Sequence, residues 1–320
     1  MSEAAVPLPG PPGRPPTAPP GARRRADLAL VVAAFFFGTT FLVVQDAVED
    51  ADPLPFLAVR FLIAGAVLAV LGRGRAATPH EMRHGVAAGA LLFVGYVLQT
   101  VGLQYTSPST SAFITYLLVV FVPLISFAVL RRRPHPLTLV GLVLAVAGLV
   151  LLTGGADVAF GRGEVLTLGC AVAFAAHIVL LGETVARHDP VRLTCIQVTF
   201  VGLACLAVSV VTGGLRMPWA AVGAAAFTGV FATALAFFAM VWAQRVVSPS
   251  RAALILLLEP VFAALLSWVT GEGLSGAALA GGVLILAAVM VAEVIPPWLT
   301  ARAAPQEAGD RRPAPGGGSY

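Results

Sequence analysis

Apolar runs of about twenty residues recur along the chain, separated by short polar or proline-bearing segments. They carry neither the strict alternation of a half-buried strand nor the polar face of a surface helix. Runs of this length cross hydrocarbon, where a backbone that bonds to itself must be helical. The pattern predicts ten spans, over 28–46, 54–71, 85–104, 110–130, 137–153, 165–186, 193–212, 219–243, 252–270 and 276–295. The flanks, 1–26 and 296–320, are rich in proline, glycine and charge and read as disordered cytoplasmic tails.

Composition sharpens this. The chain of 320 residues is 58% hydrophobic and 11% charged, with a mean hydropathy of +0.90. Soluble domains carry roughly 25% charged residues, so this surface does not face water on all sides. A net charge of +4 would suit nucleic acid, but every basic residue is an arginine at or near the end of an apolar run, Arg60 excepted. With the N-terminus inside, 17 arginines fall in cytoplasmic segments, while Arg162 and Arg216 fall outside. The first external loop is acidic, with Asp46, Glu49, Asp50 and Asp52. That split obeys the positive-inside rule at every loop and places both termini in the cytoplasm. Nucleic acid is excluded as a partner; the expected partners are the lipid bilayer and a small-molecule substrate, with homodimerisation an open alternative. Cys170, Cys195 and Cys205 lie scattered inside apolar runs, as core filler rather than metal ligands.

The chain repeats itself. Displaced by 141 positions, the stretch from Tyr105 to Ser126 falls on Val246 to Ser267. Ser107-Pro108-Ser109 then meets Ser248-Pro249-Ser250, and Val120-Phe121 meets Val261-Phe262. Earlier in each half the offset is 137, anchored by Asp52-Pro53 against Asp189-Pro190. Each half, 27–153 and 164–295, thus has five spans. Five is odd, so the second copy enters the membrane from the opposite side. The expected fold is an all-α membrane protein of ten transmembrane helices arranged as two inverted five-helix repeats. Such repeats build alternating-access carriers with a site near the midplane.

Four motifs carry a family resemblance: Phe37-Gly38-Thr39-Thr40-Phe41, Arg60-Phe61, Gly102-Leu103-Gln104-Tyr105-Thr106-Ser107 and Leu258-Glu259-Pro260-Val261-Phe262. In this order, over residues 27–295, the chain resembles the EamA-type drug/metabolite transporter superfamily. The resemblance implies a carrier in which eight spans form a cavity while the fifth and tenth serve structure. One departure is that Gly271-Glu272 ends the ninth span, whereas Arg131-Arg132-Arg133 ends the fourth.

Polar side chains inside spans mark the candidate substrate site, because they are costly in lipid and face a cavity. Glu259 lies about nine residues into its span, ~13 Å deep at 1.5 Å per residue, beyond easy snorkelling. Pro260 beside it removes a backbone donor and kinks the helix. Arg60 lies near enough to the outer end to snorkel, but its repeat counterpart, Gln197, is also polar and mid-span. Thr40 likewise matches His177. Tyr116, Gln99 and Tyr96 complete the candidates. Gln104, Tyr105, Trp242 and Gln244, at span ends, read as interfacial anchors. The chain lacks a His-Glu-x-x-His pair, a Gly-x-Ser-x-Gly elbow and a Walker loop, so no cofactor or enzymatic reaction is expected. The expected function is secondary, gradient-driven transport of a small polar metabolite or drug, with efflux the favoured direction. The competing readings are a membrane scaffold or sensor and a lipid-headgroup translocator.

The arginine pattern makes a direct prediction. Reporter fusions after Arg75, Arg133 and Arg251 will read cytoplasmic, and fusions at Asp50 and Gly161 external; one external site reading cytoplasmic discards the ten-span topology.

Overall fold

The computed structural model describes residues 20–48, 51–72, 76–102, 104–106, 108–131, 134, 136–153, 161–214, 216–269, 271 and 275–294. The expected tails beyond 20 and 294, and Glu272, lie outside the described residues. Among the described residues all regular structure is helical. The first half contains α1 (Pro20–Val48), α2 (Pro53–Leu71), α3 (Pro79–Gly102), α4 (Pro108–Tyr116), α5 (Leu118–Leu130) and α6 (Pro136–Leu152). The second contains α7 (Arg162–Thr184), α8 (Pro190–Thr212), α9 (Trp219–Thr228), α10 (Ala236–Ala243), α11 (Pro249–Leu256), α12 (Leu258–Val269) and α13 (Gly276–Val289). A π-helical segment, Gly229–Leu235, joins α9 to α10.

Seven stretches of described helix are long and apolar enough to cross a membrane, while Pro136–Leu152 and Gly276–Ala292 are apolar but shorter. The stretches Thr110–Leu130 and Pro249–Leu266 are broken, at Leu117 (φ −60°, ψ −8°) and Leu257 (φ −63°, ψ −6°). In the second of these, the ring of Pro260 would meet the carbonyl four residues back, that of Leu256, if the helix ran on. The expected kink is therefore a break.

Local sequence sets the starts. Asp52 and Asp189 stand in extended backbone before prolines, as residues preceding proline must, and the following turn is helical. Asp189 caps α8 by accepting from Arg192 N at 3.0 Å. Ser248 caps α11 in the same way, which is what its Ser-Pro motif encodes; Ser107 lies outside the described residues. Helix α1 begins well ahead of residue 28, through Arg23–Arg25, which the tail was expected to contain. The reason is anchorage: Ala26 and Leu30 are buried, and Asp27 takes a bidentate pair from Arg251 at 2.8 and 2.7 Å.

The halves interlock, and their contacts come in exchanged pairs. Helix α1 packs on α10, α11 and α12, and α7 packs on α3, α4 and α5. Helix α2 packs on α9 and the π segment, and α8 on α3, while α2 crosses α8 and α6 crosses α13. At the α2–α8 crossing Gly65 meets Thr199 and Gly202 meets Leu62, two contacts that map onto each other at the offset of 137. Polar tethers follow the same exchange. Asp27 ties α1 to the start of α11, and its counterpart Glu164 ties α7 to Thr106, just before α4. Asp52 bonds the Arg216 backbone ahead of α9 at 2.8 and 2.9 Å. On the other side, Glu81 at the start of α3 accepts from Asp189 N and from Arg192 at the start of α8.

Helices α6 and α13 form a flank of small residues. The face of Gly141, Ala145 and Gly148 expected to pack closely is the buried face of α6. A Cβ on Gly148 would sit 2.8 Å from the Gly281 carbonyl, and one on Gly281 would strike Leu152 N and the Gly148 carbonyl. Gly281→Ala will therefore cost about 1–3 kcal/mol and lower the unfolding temperature in detergent, because only backbone can give way. Gly223→Ala, in α9 with nothing within 4 Å, will be neutral or slightly stabilising. Equal melting of the two variants would mean that α6 and α13 are not closely packed.

Candidate functional site

Arg60 enters the bundle from the second turn of α2 and is only 6% exposed. Its Nε donates to Thr233 Oγ1 of the π segment at 2.7 Å. The guanidinium carbon stands 5.8 Å from the centre of the Phe61 ring. Tyr96 of α3 and Glu259 of α12 lie within electrostatic reach of it.

Glu259 owes its place to the broken span. It lies in the first turn of α12, where helix N–H groups favour a negative charge. Tyr116, the last residue of α4 and itself beside the break at Leu117, directs its hydroxyl hydrogen bond to the Glu259 carboxylate. A Cβ on Gly38 would lie 2.8 Å from the Glu259 carbonyl, so α1 backs this turn directly. Arg60 and Glu259 thus sit on opposite halves of the chain, Arg60 on a threonine hydroxyl and Glu259 on a tyrosine hydroxyl.

His177 and Gln197 form a second polar pair, 2% and 0% exposed. The ring Nε2 lies 2.7 Å from Gln197 Oε1. An amide oxygen only accepts, so His177 donates from Nε2. The Gln197 amide nitrogen is left with no partner among the described residues. Phe237 links the two polar groups, with its ring centre 6.3 Å from that of His177 and 6.2 Å from that of Phe61.

The aromatic lining also obeys the exchange. Phe37 meets Phe237 edge-on at 5.2 Å and 74°, and Phe174 meets Tyr96 at 5.3 Å and 69°. Phe37 and Phe174 are repeat counterparts, as are Tyr96 and Phe237.

The structure thus gathers Arg60, Glu259, Tyr116 and Tyr96, and sets His177 with Gln197 alongside. The Thr40 hydroxyl donates to Phe37 O of its own helix at 2.6 Å. Gln99 bridges α3 to α4 by donating to Thr115 Oγ1 at 3.2 Å. Gln244 is not an interfacial anchor. It is 3% exposed and donates to Ile178 O at 2.8 Å, because the turn after α10 folds inward against α7. Sequence reading passed over Thr233, a small residue in an apolar run, and Phe237, whose signal was its match to Tyr96.

An interlocked helical bundle with apolar spans and ionisable residues buried between its halves defines a membrane transporter. The chain belongs to the EamA-like transporter family, whose profile matches it twice, over residues 24–154 and 161–293. It is 34% identical over 272 residues to an uncharacterized transporter of Archaeoglobus fulgidus, covering 84% of this chain and 86% of that one. The uncharacterized inner membrane transporter YedA of Escherichia coli K12 is 28% identical over 280 residues, covering 82% and 89%. A solved crystal structure shares the fold at a TM-score of 0.74 and 21% identity, covering 85% of this chain and 98% of that chain.

Proposed function

We propose that this chain is a secondary carrier that exports a small zwitterionic solute, of amino-acid type, by alternating access. It does so as ten spans in two inverted five-helix repeats, in the cell membrane with both termini cytoplasmic. The exchanged helix contacts support the inverted repeat, and the arginine distribution supports the orientation.

The observation that carries the reading is a buried cation and a carboxylate from opposite halves that are not bonded to each other. Arg60 is held by Thr233 and Glu259 by Tyr116. A guanidinium and a carboxylate locked in mutual contact would offer a solute little. Kept on hydroxyl partners, neither group is spent on the other, and one solute bearing both charges can engage both. The rings of Phe37, Phe61 and Phe237 supply the apolar wall expected of a small-molecule site. Because the two charges belong to different halves, a solute bound to both couples its own position to their relative motion.

Purified protein will be screened by thermal shift against the twenty L-amino acids, nucleosides and cationic dyes, since ligands of the folded state raise its melting temperature. At least one amino acid will stabilise the wild type, Arg60→Gln will abolish that shift, and Glu259→Gln will reduce it. The same amino acid will exchange across proteoliposomes holding the wild type. If Glu259 also releases the driving proton, Glu259→Gln will lose gradient-driven flux while retaining some exchange; if it only binds solute, both will fall together. Normal binding and flux in both variants, correctly inserted, would place the site elsewhere.

A further inference from the structure

The two halves differ by one residue at the place where Arg60 is held. In each half the third span registers against the second span of the other half through a glycine laid on a carbonyl. A Cβ on Gly89 would lie 2.8 Å from the Gln197 carbonyl, and one on Gly229 would lie 2.7 Å from the Arg60 carbonyl. Arg60 and Gln197 are counterparts at 137, so Gly89 and Gly229 are counterparts too, at an offset of 140. Further along the same spans, the edge-on pairs Tyr96–Phe174 and Phe237–Phe37 make Tyr96 and Phe237 counterparts, at an offset of 141. Between these two fixed points the second half has gained one residue.

The gain coincides with the π segment. Helix α3 is an unbroken α-helix from Pro79 to Gly102, whereas Gly229–Leu235 is π-helical. A π turn closes hydrogen bonds one residue further along than an α turn, so it absorbs an extra residue without displacing the helix on either side. What it changes is the direction of the side chains within it. Thr233 is thereby turned onto Arg60 Nε at 2.7 Å, with the threonine fully buried. The first half has no such hydroxyl: Leu92 and Phe93 occupy the corresponding positions, and Gln197 bonds to His177 instead.

We propose that Thr233 is a positioning residue for solute recognition, and that the inserted residue of the second repeat serves to aim Arg60. The inference rests on the proposed function, in which Arg60 receives the anionic end of the solute. A guanidinium donates in a fixed fork. With Nε taken by Thr233, the remaining edge is the Nη1–Nη2 pair, and the Nη nitrogens carry no hydrogen bond among the described residues. That edge matches the two oxygens of a carboxylate in a bidentate pair. Thr233 fixes the rotation of the fork, and so selects a carboxylate over an amide, which offers only one acceptor oxygen.

The test compares wild type, Thr233→Val, Thr233→Ser and Arg60→Gln, titrated by thermal shift with the twenty L-amino acids and their amides. Valine keeps the shape of threonine and removes the acceptor; serine keeps the acceptor. Thr233→Val will weaken binding of the stabilising amino acid about tenfold while affinity for its amide is unchanged, and Thr233→Ser will restore the preference. A purely structural role would move acid and amide together, or leave serine as poor as valine; either result overturns the inference. So does a Thr233→Val protein with wild-type preference while Arg60→Gln has lost binding, which leaves the proposed function standing. Undiminished binding by Arg60→Gln, or a wild type that no member of the panel stabilises, removes both.

Discussion

Burying a guanidinium costs far more than any single neighbour returns, and Arg60 is nonetheless 6% exposed at the heart of the bundle. The protein meets that cost with several partial partners: a hydroxyl on Nε, a ring 5.8 Å away, and the more distant field of Glu259. No one of them neutralises it. That incomplete compensation sets Arg60 apart from a structural ion pair, in which each charge satisfies the other. Glu259 is treated alike, with a tyrosine hydroxyl in place of a cation. The broken span helps here, because it turns mid-membrane backbone into a helix start that tolerates a carboxylate.

Holding such charges in place requires rigid walls, and these come from backbone approaching backbone. Hydrocarbon exerts no hydrophobic force between helices, so close contact of small residues must do the packing. Gly65 and Gly202 allow α2 and α8 to cross, while Gly89 and Gly229 seat the third spans on carbonyls of the second. Every one of these contacts joins one half to the other. The halves cannot be two domains lying side by side; each supplies the other's partners. The polar groups at their crossings are therefore shared between the halves by construction.

Much of this was legible in the chain. Run length gave helices, the Asp-Pro and Ser-Pro pairs marked helix starts, and Gly141, Ala145 and Gly148 announced the tight face of α6. Repeat counterparts singled out Arg60 and Gln197, and both prove to be buried. The failures have physical causes. Thr40 satisfies itself on the carbonyl three residues back, which side-chain polarity alone does not reveal. Gln244 looked interfacial because it ends an apolar run, yet the following turn carries it inward to Ile178. Thr233 was invisible for a deeper reason. An ungapped comparison slides the halves past one another as rigid strings, and a π turn is a one-residue change of string that leaves both flanking helices in register. Only carbonyl and ring contacts on either side of it locate the step.

Two halves made to one plan still give the bundle unequal ends. Near the starts of α1, α3, α8 and α11 the tethers are charged: Asp27 with Arg251, and Glu81 with Arg192. Near the starts of α2, α4, α7 and α9, Asp52 and Glu164, the latter the counterpart of Asp27, accept from backbone N–H groups and the Thr106 hydroxyl. The ion pairs near the first set of starts are 2.7 and 2.8 Å long and partly shielded, so separating the helices they join separates charges. Asp27 and Glu164 are repeat counterparts at the offset of 137, but at the offset of 141 Arg251 meets Thr110, so the halves keep the acid and differ in the partner it is given.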